Sequence, residues 1–197
     1  LLINESTSIF FEKKRMMNVR NHISIDEYKD IITKQTDTFT FLDLLDDGPE
    51  KESRRKQNAL VHENSLSDMF YAVFVSPRAN ADFIKSLHNF IDDEIIPIND
   101  KSMLVTAITL NVMQRFDSEK VLFLLDICRR PETEIVARAI TGIIPIFQIY
   151  STRWHLHPEC INRLKLLSDD ADFTRRFMTT IIGFIQAHET EKITKKL

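Results

Sequence analysis

Glycine is nearly missing from this sequence of 197 residues: there are 3, where ordinary usage of roughly 7% gives about 14. Glycine supplies the positive-φ positions of hairpin turns, nucleotide-binding loops and strand corners, so its scarcity argues against all-β folds and against P-loop and dinucleotide folds. Cysteine is equally thin. Cys128 and Cys160 are the only two, too few for a disulfide framework, and their apolar helical context predicts reduced core thiols in a cytoplasmic protein. Charge of one sign is absent as well, since 26 Lys and Arg face 29 Asp and Glu for a net charge of −3. A nucleic-acid binder ordinarily carries a basic excess or a one-signed stripe. Long apolar runs are also lacking. The most apolar stretch, Gly142 to Tyr150, holds 9 residues and includes Pro145 and Gln148, far short of the roughly 20 that span a bilayer. The opening Leu1-Leu2-Ile3 gives way at once to Asn4-Glu5-Ser6, which leaves no h-region for a secretory leader. A start at Leu instead of Met is read as the edge of an interior slice of something larger.

What is present is apolar bulk at helical spacing. Hydrophobic residues make up 43% of the chain and include 14 Phe and 24 Ile, enough for a thick core. From Asn80 onward six apolar blocks follow one another with 3.6-residue periodicity. Phe83, Ile84, Leu87, Phe90 and Ile91 form the first, ended by Pro97. Leu104, Ile108 and Val112 form the second, opened by an Asn99-Asp100 cap. Asp117 caps a third, with Val121, Leu124, Leu125 and Cys128 inward. Pro131, read as a first-turn proline, opens a fourth of Ile135, Val136, Ala139, Ile140, Ile143, Ile144 and Phe147. Pro158 opens a fifth with Ile161, Leu164 and Leu167. Asp169-Asp170 opens a sixth with Phe173, Phe177, Ile181, Phe184 and Ile185. The blocks pair as short helix then longer helix, three times, with first members starting near 80, 118 and 158. A repeat of that length is the sign of stacked helical hairpins. Small residues in the second helices, as in Ala107-Ile108-Thr109-Leu110, Ala139-Ile140-Thr141-Gly142 and Thr180-Ile181-Ile182-Gly183, let paired helices approach closely.

Residues Pro131-Glu132-Thr133-Glu134-Ile135-Val136-Ala137-Arg138-Ala139-Ile140-Thr141-Gly142 resemble the second helix of a HEAT repeat, and Asp170-Ala171-Asp172-Phe173-Thr174-Arg175-Arg176 resembles a weaker copy. The resemblance covers about residues 80–190. It implies a ladder between neighbouring repeats in which Glu134 or Asp172 pairs with Arg138 or Arg175. The run from Lys101-Ser102-Met103-Leu104-Val105-Thr106-Ala107 through Arg115-Phe116-Asp117 and Arg163-Leu164-Lys165-Leu166-Leu167 to Thr190-Glu191-Lys192-Ile193 also resembles a family of large helical-repeat proteins from Bacteroidetes bacteria. Their later part carries tetratricopeptide repeats, which implies that this chain is a segment of a larger protein.

The first half is less regular. Residues 6–20 read as a helix with Ile9, Phe10, Met16 and Met17 on its apolar side. Ser24-Ile25-Asp26-Glu27 is a capping box. The spacing of Ile25, Tyr28, Ile32, Phe39, Leu42 and Leu45 allows one long helix or two broken near Thr36–Thr38, ended by Gly48-Pro49. The charged stretch Glu50 to Asn64, centred on Ser53-Arg54-Arg55-Lys56, reads as a loop. Ser65-Leu66-Ser67-Asp68 reads as the start of another helix with Leu66, Met69, Phe70, Val73 and Phe74 inward, closed by Ser76-Pro77.

Few residues offer chemistry. His155, His157 and Cys160, with Glu159 beside them, are the one cluster of metal-compatible types; a turn with capping histidines is the commoner use of such a segment, so no metal or cofactor is assigned. Trp154 reads as a lid on the repeat interface sooner than as a stacking platform. No nucleophile elbow is present. The carboxylate pairs Asp46-Asp47, Asp92-Asp93 and Asp169-Asp170 all fall at helix ends, where capping or solvation suffices. The expectation is an all-α chain: a right-handed α–α superhelix of HEAT-like repeats, with a helical region at 1–79 (its charged loop near 48–64) and three helix pairs at 80–197. In function it is expected to be a non-enzymatic scaffold that binds a protein partner, or flanking domains of its own chain, on a concave face lined by the second helices. Arg115, Arg138, Arg153 and Arg175 are the candidate partner-binding residues. Nucleic-acid binding or processing in a concave basic groove is the alternative, and a membrane or small-molecule partner is not expected.

Overall fold

The computed structural model describes residues 23–43 and 48–194. The helix expected at 6–20, Leu45 and the Asp46-Asp47 pair lie outside them. Every regular element among the described residues is helical: α1 Ile25–Asp43, α2 Pro49–Phe74, α3 Ala81–Asp92, α4 Ile98–Gln114, α5 Ser118–Ile127, α6 Thr133–Ile149, a 3₁₀ turn Trp154–Leu156, α7 Pro158–Ser168 and α8 Ala171–Thr194. The all-α expectation holds there. The chain divides into two compact units, Leu1–Ala107 and Ile108–Leu197.

In the first unit the capping box forms as expected. Glu27 N donates to Ser24 Oγ at 3.1 Å and Ser24 N donates to Glu27 Oε2 at 2.7 Å. These bonds, the backbone one first, hold the Glu27 carboxyl below its usual range. α1 then runs unbroken through Thr36 and Thr38, whose hydroxyls donate to the carbonyls of Ile32 and Lys34 one turn back. Ile25, Tyr28 and Ile32 are buried. Both α2 and α3 pack on α1.

Three expectations fail at α2. Gly48 and Pro49 are the N-cap and first position of this helix, whereas α1 ends at Asp43. The charged stretch Glu50 to Asn64 is helix, not loop, and Ser65 is buried in mid-helix instead of opening one. The reason is local. A first-turn proline preorganises the start, Glu50 and Glu52 sit at the positive end of the helix dipole, and each pairs four residues on, with Arg54 (2.9 Å) and Lys56 (2.7 Å). A polar stretch without glycine needs little more to extend a helix whose other half is anchored by Met69 and Val73.

α3 is capped by Asn80, whose side chain accepts from Phe83 N at 2.8 Å, and it buries Leu87, Phe90 and Ile91. It ends at Asp93, before Pro97. Asp93 takes an ion pair from Lys29 of α1 at 2.8 Å and a hydrogen bond from Ile95 N. The Lys29 bond first, and the backbone bond second, hold its carboxyl below the usual range. A lowered carboxyl contributes stability above the ordinary carboxylate value of about 4 and loses it as pH falls through the lowered value. The stability gap between the wild type and Asp93→Asn, about 0.5–1 kcal/mol near neutrality, is therefore expected to close in urea titrations repeated toward about pH 2.5. α4 begins one residue past Pro97, whose carbonyl accepts from Asp100 N and Lys101 N. Asn99-Asp100 thus lies inside the first turn and is not its cap.

In the second unit Asp117 caps α5 as expected, accepting from Glu119 N and Lys120 N, and Val121, Leu124, Leu125 and Cys128 are buried. Pro131 falls two residues short of α6, whose N-cap position is Glu132; Arg130 holds the Glu132 carboxylate through two bonds of 3.0 and 3.1 Å. α6 buries Ile135, Val136, Ala139, Ile140, Ile143 and Ile146. Pro158 opens α7 in its first turn. Asp169 ends α7, while Asp170 alone caps α8, accepting from Asp172 N and Phe173 N. α5 packs on α6 and α7, and α8 packs on α6 and α7. Within this unit the hairpin α7–α8 is therefore laid on the hairpin α5–α6.

The small residue expected to permit close approach is found at Gly142. A methyl group there would stand 2.5 Å from both Cγ2 and Oγ1 of Thr109 on α4, well inside van der Waals contact. Gly183 on α8 has nothing within 4 Å of the same position. Opposite outcomes are expected from one chemical change. Gly142→Ala should destabilise by about 1–3 kcal/mol through overpacking, and Gly183→Ala should stabilise by about 0.5–1 kcal/mol through helix propensity. Thermal melts of the two variants side by side check both signs.

Candidate functional site

The four candidate arginines all lie in the second unit. Arg115 follows the end of α4, Arg138 is on α6, Arg153 is in the turn after α6, and Arg175 is on α8; all four are exposed. Arg153 places its guanidinium 5.7 Å from the Tyr150 ring centroid, and Arg175 pairs with Asp172 at 2.7 Å. Among the described residues Arg115 and Arg138 have no carboxylate partner, and no bond or ring contact joins any two of the four. Of the pairs that the resemblance implies between neighbouring repeats, Asp172–Arg175 forms instead inside α8 as an i,i+3 pair; between α7 and α5, Arg163 pairs with Asp126.

The histidine–cysteine cluster is not brought to one point. Cys160 is fully buried and its Sγ lies 3.8 Å from the Ser118 carbonyl. Burial, with Glu159 and Glu119 adding to it, pushes its thiol up to about 12, so the thiolate a metal needs is disfavoured. His155 is exposed. His157 turns to Glu159 at 3.2 Å and to the Phe116 ring at 4.4 Å. Cys128 is buried in the same way, with its thiol pushed up to about 12. Trp154 is buried, stacks on Phe147 at 4.1 Å, and donates Nε1–H to the Phe147 carbonyl. Phe116 meets it edge-on at 5.5 Å and also meets Tyr150. Burial raises the Tyr150 phenol above its usual range. Its hydroxyl sits 2.9 Å from the Val112 carbonyl, tying the end of α6 to α4.

The polar constellation with the most convergent geometry was not foreseen. Asp100, 2% exposed, accepts at Oδ2 from the Tyr28 hydroxyl at 2.8 Å and faces His62 Nε2 at 2.9 Å. It joins α1, α2 and α4 within the first unit. Tyr28 is fully buried against Phe90, and burial first, then the Asp100 bond, raises its phenol well above the usual range. The signal was in the spacing. Asp100, Leu104, Ile108 and Val112 are four apart, so Asp100 continues the apolar stripe of α4, and a carboxylate on a buried stripe needs donors. What the arrangement does chemically is hold. The carboxylate holds one ring nitrogen of half-buried His62 and the hydroxyl of buried Tyr28. Among the described residues no three metal-capable side chains gather, and no helix is long and apolar enough to cross a membrane. A cleft of about 280 Å³ lies between Ile25, Ala72, Val73 and Phe83, with a bond from Ser86 to Asp26 at its rim. It is apolar and gathers no set of catalytic groups.

No family model, curated protein or solved structure matches the chain.

Proposed function

We propose that this chain is a non-enzymatic scaffold, a HEAT-like right-handed α–α solenoid segment of a larger protein, which binds a protein partner on the face carrying α6 and α8. The observation that carries the reading is the stacking of hairpin α7–α8 on hairpin α5–α6, α7 against α5 and α8 against α6. A hairpin that covers its neighbour this way leaves one side of its second helix in water. On α6 that side is Glu134, Ala137, Arg138 and Thr141, all exposed, a mixture of both charges with small residues that suits a polypeptide better than a polyanion. Nucleic-acid binding is the second reading, favoured by the lack of carboxylate partners at Arg115 and Arg138 among the described residues.

The test is site-specific photo-crosslinking in cells, with a benzophenone residue in place of Thr141 and, as control, in place of Lys56 on α2. Protein adducts at position 141 that are absent at 56 are the expected result. Nucleic acid as the main adduct, reduced by Arg115→Ala with Arg138→Ala, would replace the scaffold reading by the alternative. Equal adducts at both positions would remove the reading altogether.

A further inference from the structure

The turn before α5 and the turn after α6 meet through one ring. Phe116, in the first, stands 5.1 Å from Tyr150, 5.5 Å from Trp154 and 4.4 Å from His157 of the second. Both turns belong to the second unit. The longer one is stiff. Arg153 N donates to the Tyr150 carbonyl at 2.8 Å, Leu156 N to that of Arg153, and His157 N to that of Trp154. Trp154 is held in turn by its bond to Phe147, and Tyr150 by its bond to Val112.

That junction gathers charge of one sign in a chain that otherwise balances. Residues 115–117 and 150–157 hold two arginines, two histidines and a single carboxylate, Asp117. Asp117 is 2% exposed and turned to Lys120 and the α5 backbone. Glu159, just past the second turn, faces His157 at 3.2 Å. Arg115, Arg153 and His155 are exposed, and neither arginine has a carboxylate partner among the described residues. Arg153 lies over the Tyr150 ring, a contact through its face that leaves its N–H groups for an outside acceptor. Two apolar side chains stand in water in and beside the same turn, Leu156 at 64% exposure and Ile149 at 50%.

Cations held in place by a stiff turn, with apolar side chains among them, fit an anion that carries apolar groups of its own. A protein segment in which Asp or Glu flanks a large apolar residue has that chemistry. A nucleic-acid strand fits less well. It draws its affinity from many phosphate contacts at once, whereas the junction supplies two arginines on a chain of net charge −3. From this we infer that the α4–α5 and α6–α7 turns form a docking surface for an acidic segment of a partner protein, with Arg115 and Arg153 meeting its carboxylates and Leu156 its apolar residue. The inference needs nothing from the α6–α8 face, and the two fail separately.

Fluorescence anisotropy of the full chain with a labelled peptide of Glu-Glu-Leu triplets tests it. A Lys-Lys-Leu peptide of the same length and an oligothymidylate of the same charge serve as comparisons. The acidic peptide is expected to bind at about 10–100 µM and to weaken as salt is added. The oligothymidylate should bind at least about 10-fold more weakly, and the basic peptide not at all. Arg115→Glu with Arg153→Glu is expected to weaken the acidic peptide at least about 10-fold, and Arg115→Gln with Arg153→Gln, which adds no repulsion, about 5-fold. Leu156→Ser should cost about 3-fold. Lys56→Glu, a charge reversal on α2, should leave binding unchanged. Helical circular dichroism separates loss of fold from loss of binding, and the glutamine pair decides if the glutamate pair unfolds. No binding of the acidic peptide below about 1 mM overturns the inference. So does binding indifferent to both arginine pairs. Tighter binding of the oligothymidylate, lost with the same arginines, assigns the junction to nucleic acid instead.

Discussion

Lys120→Ala is expected to cost the second unit about 3–5 kcal/mol, the range for removing one partner of a buried ion pair. Lys120 is 0% exposed, yet it is a lysine. Its Nζ donates to Asn111 Oδ1 at 2.8 Å and lies 3.8 Å from Asp117 Oδ2. Asp117 is itself 2% exposed, and it spends its other oxygen capping α5. Truncating the lysine removes a cation from beside that buried carboxylate, and empties the volume its four methylenes filled. The last turns of α4 and the first turn of α5 meet at this point, so both lose their anchor. Urea unfolding of Lys120→Ala and of Lys120→Met checks the division. The methionine keeps the volume, so it should recover the cavity part and leave the electrostatic part unrelieved. Equal stability of Lys120→Ala and the wild type would show that water reaches Nζ and that the pair contributes nothing.

Asp100→Ala is expected to cost the first unit about 2–4 kcal/mol. The loss is mostly that of orphaned donors: the Tyr28 hydroxyl is sealed inside the protein and has no water to turn to. Asp100→Asn keeps an acceptor of the same shape and should cost about 1 kcal/mol. Tyr28→Phe removes the donor along with its need, and in combination with Asp100→Ala it should add less than the sum of the single losses. A double-mutant cycle on the Tyr28–Asp100 pair measures this coupling. Nitrogen chemical shifts of the His62 ring give an independent readout, because release from Asp100 lets the two tautomers equalise. Full additivity in the cycle would mean that the carboxylate and phenol do not share their burial.

Which parts of this arrangement could be read from the sequence follows from how local each cause is. The capping box at Ser24, the Asp117 cap and the first-turn Pro158 depend on neighbours within four residues, and all three form as expected; the Asn80 cap is equally local but is not among the expected ones. The apolar stripes of α3 to α7 are periodic and their central members, such as Leu87, Leu104, Val121, Ile135 and Leu167, are buried, while Phe83, Ile144, Phe147, Ile161 and Leu164 are half-buried and the expected inward Phe184 and Ile185 of α8 are exposed. Residues 50–64 read as a loop because polarity on all faces is shared by loops and by solvated helices. The deciding pairs, Glu50–Arg54 and Glu52–Lys56, are visible at i,i+4 once a helix is assumed, but do not announce one. Pro131 and Asn99-Asp100 lie a residue or two from their expected places, since a proline near a helix start does not say which position it takes. The candidate arginines could be named but not positioned. The Asp100 centre was hidden for a different reason. Its three members come from three helices, and each alone has a bland reading: an apolar stripe residue, a loop histidine and a cap.

The exposed first half of α2 has a consequence for how its backbone behaves with time. From Glu52 to Gln57 every side chain faces water, so its amides are closed by their own helix alone, with almost no tertiary burial to add to each opening energy. Farther along, Met69 and Val73 are locked in the core. One continuous helix therefore carries a gradient of amide exchange, fast over its first turns and slow over its last. Unwinding can enter from the Gly48 end without disturbing the packing around Met69.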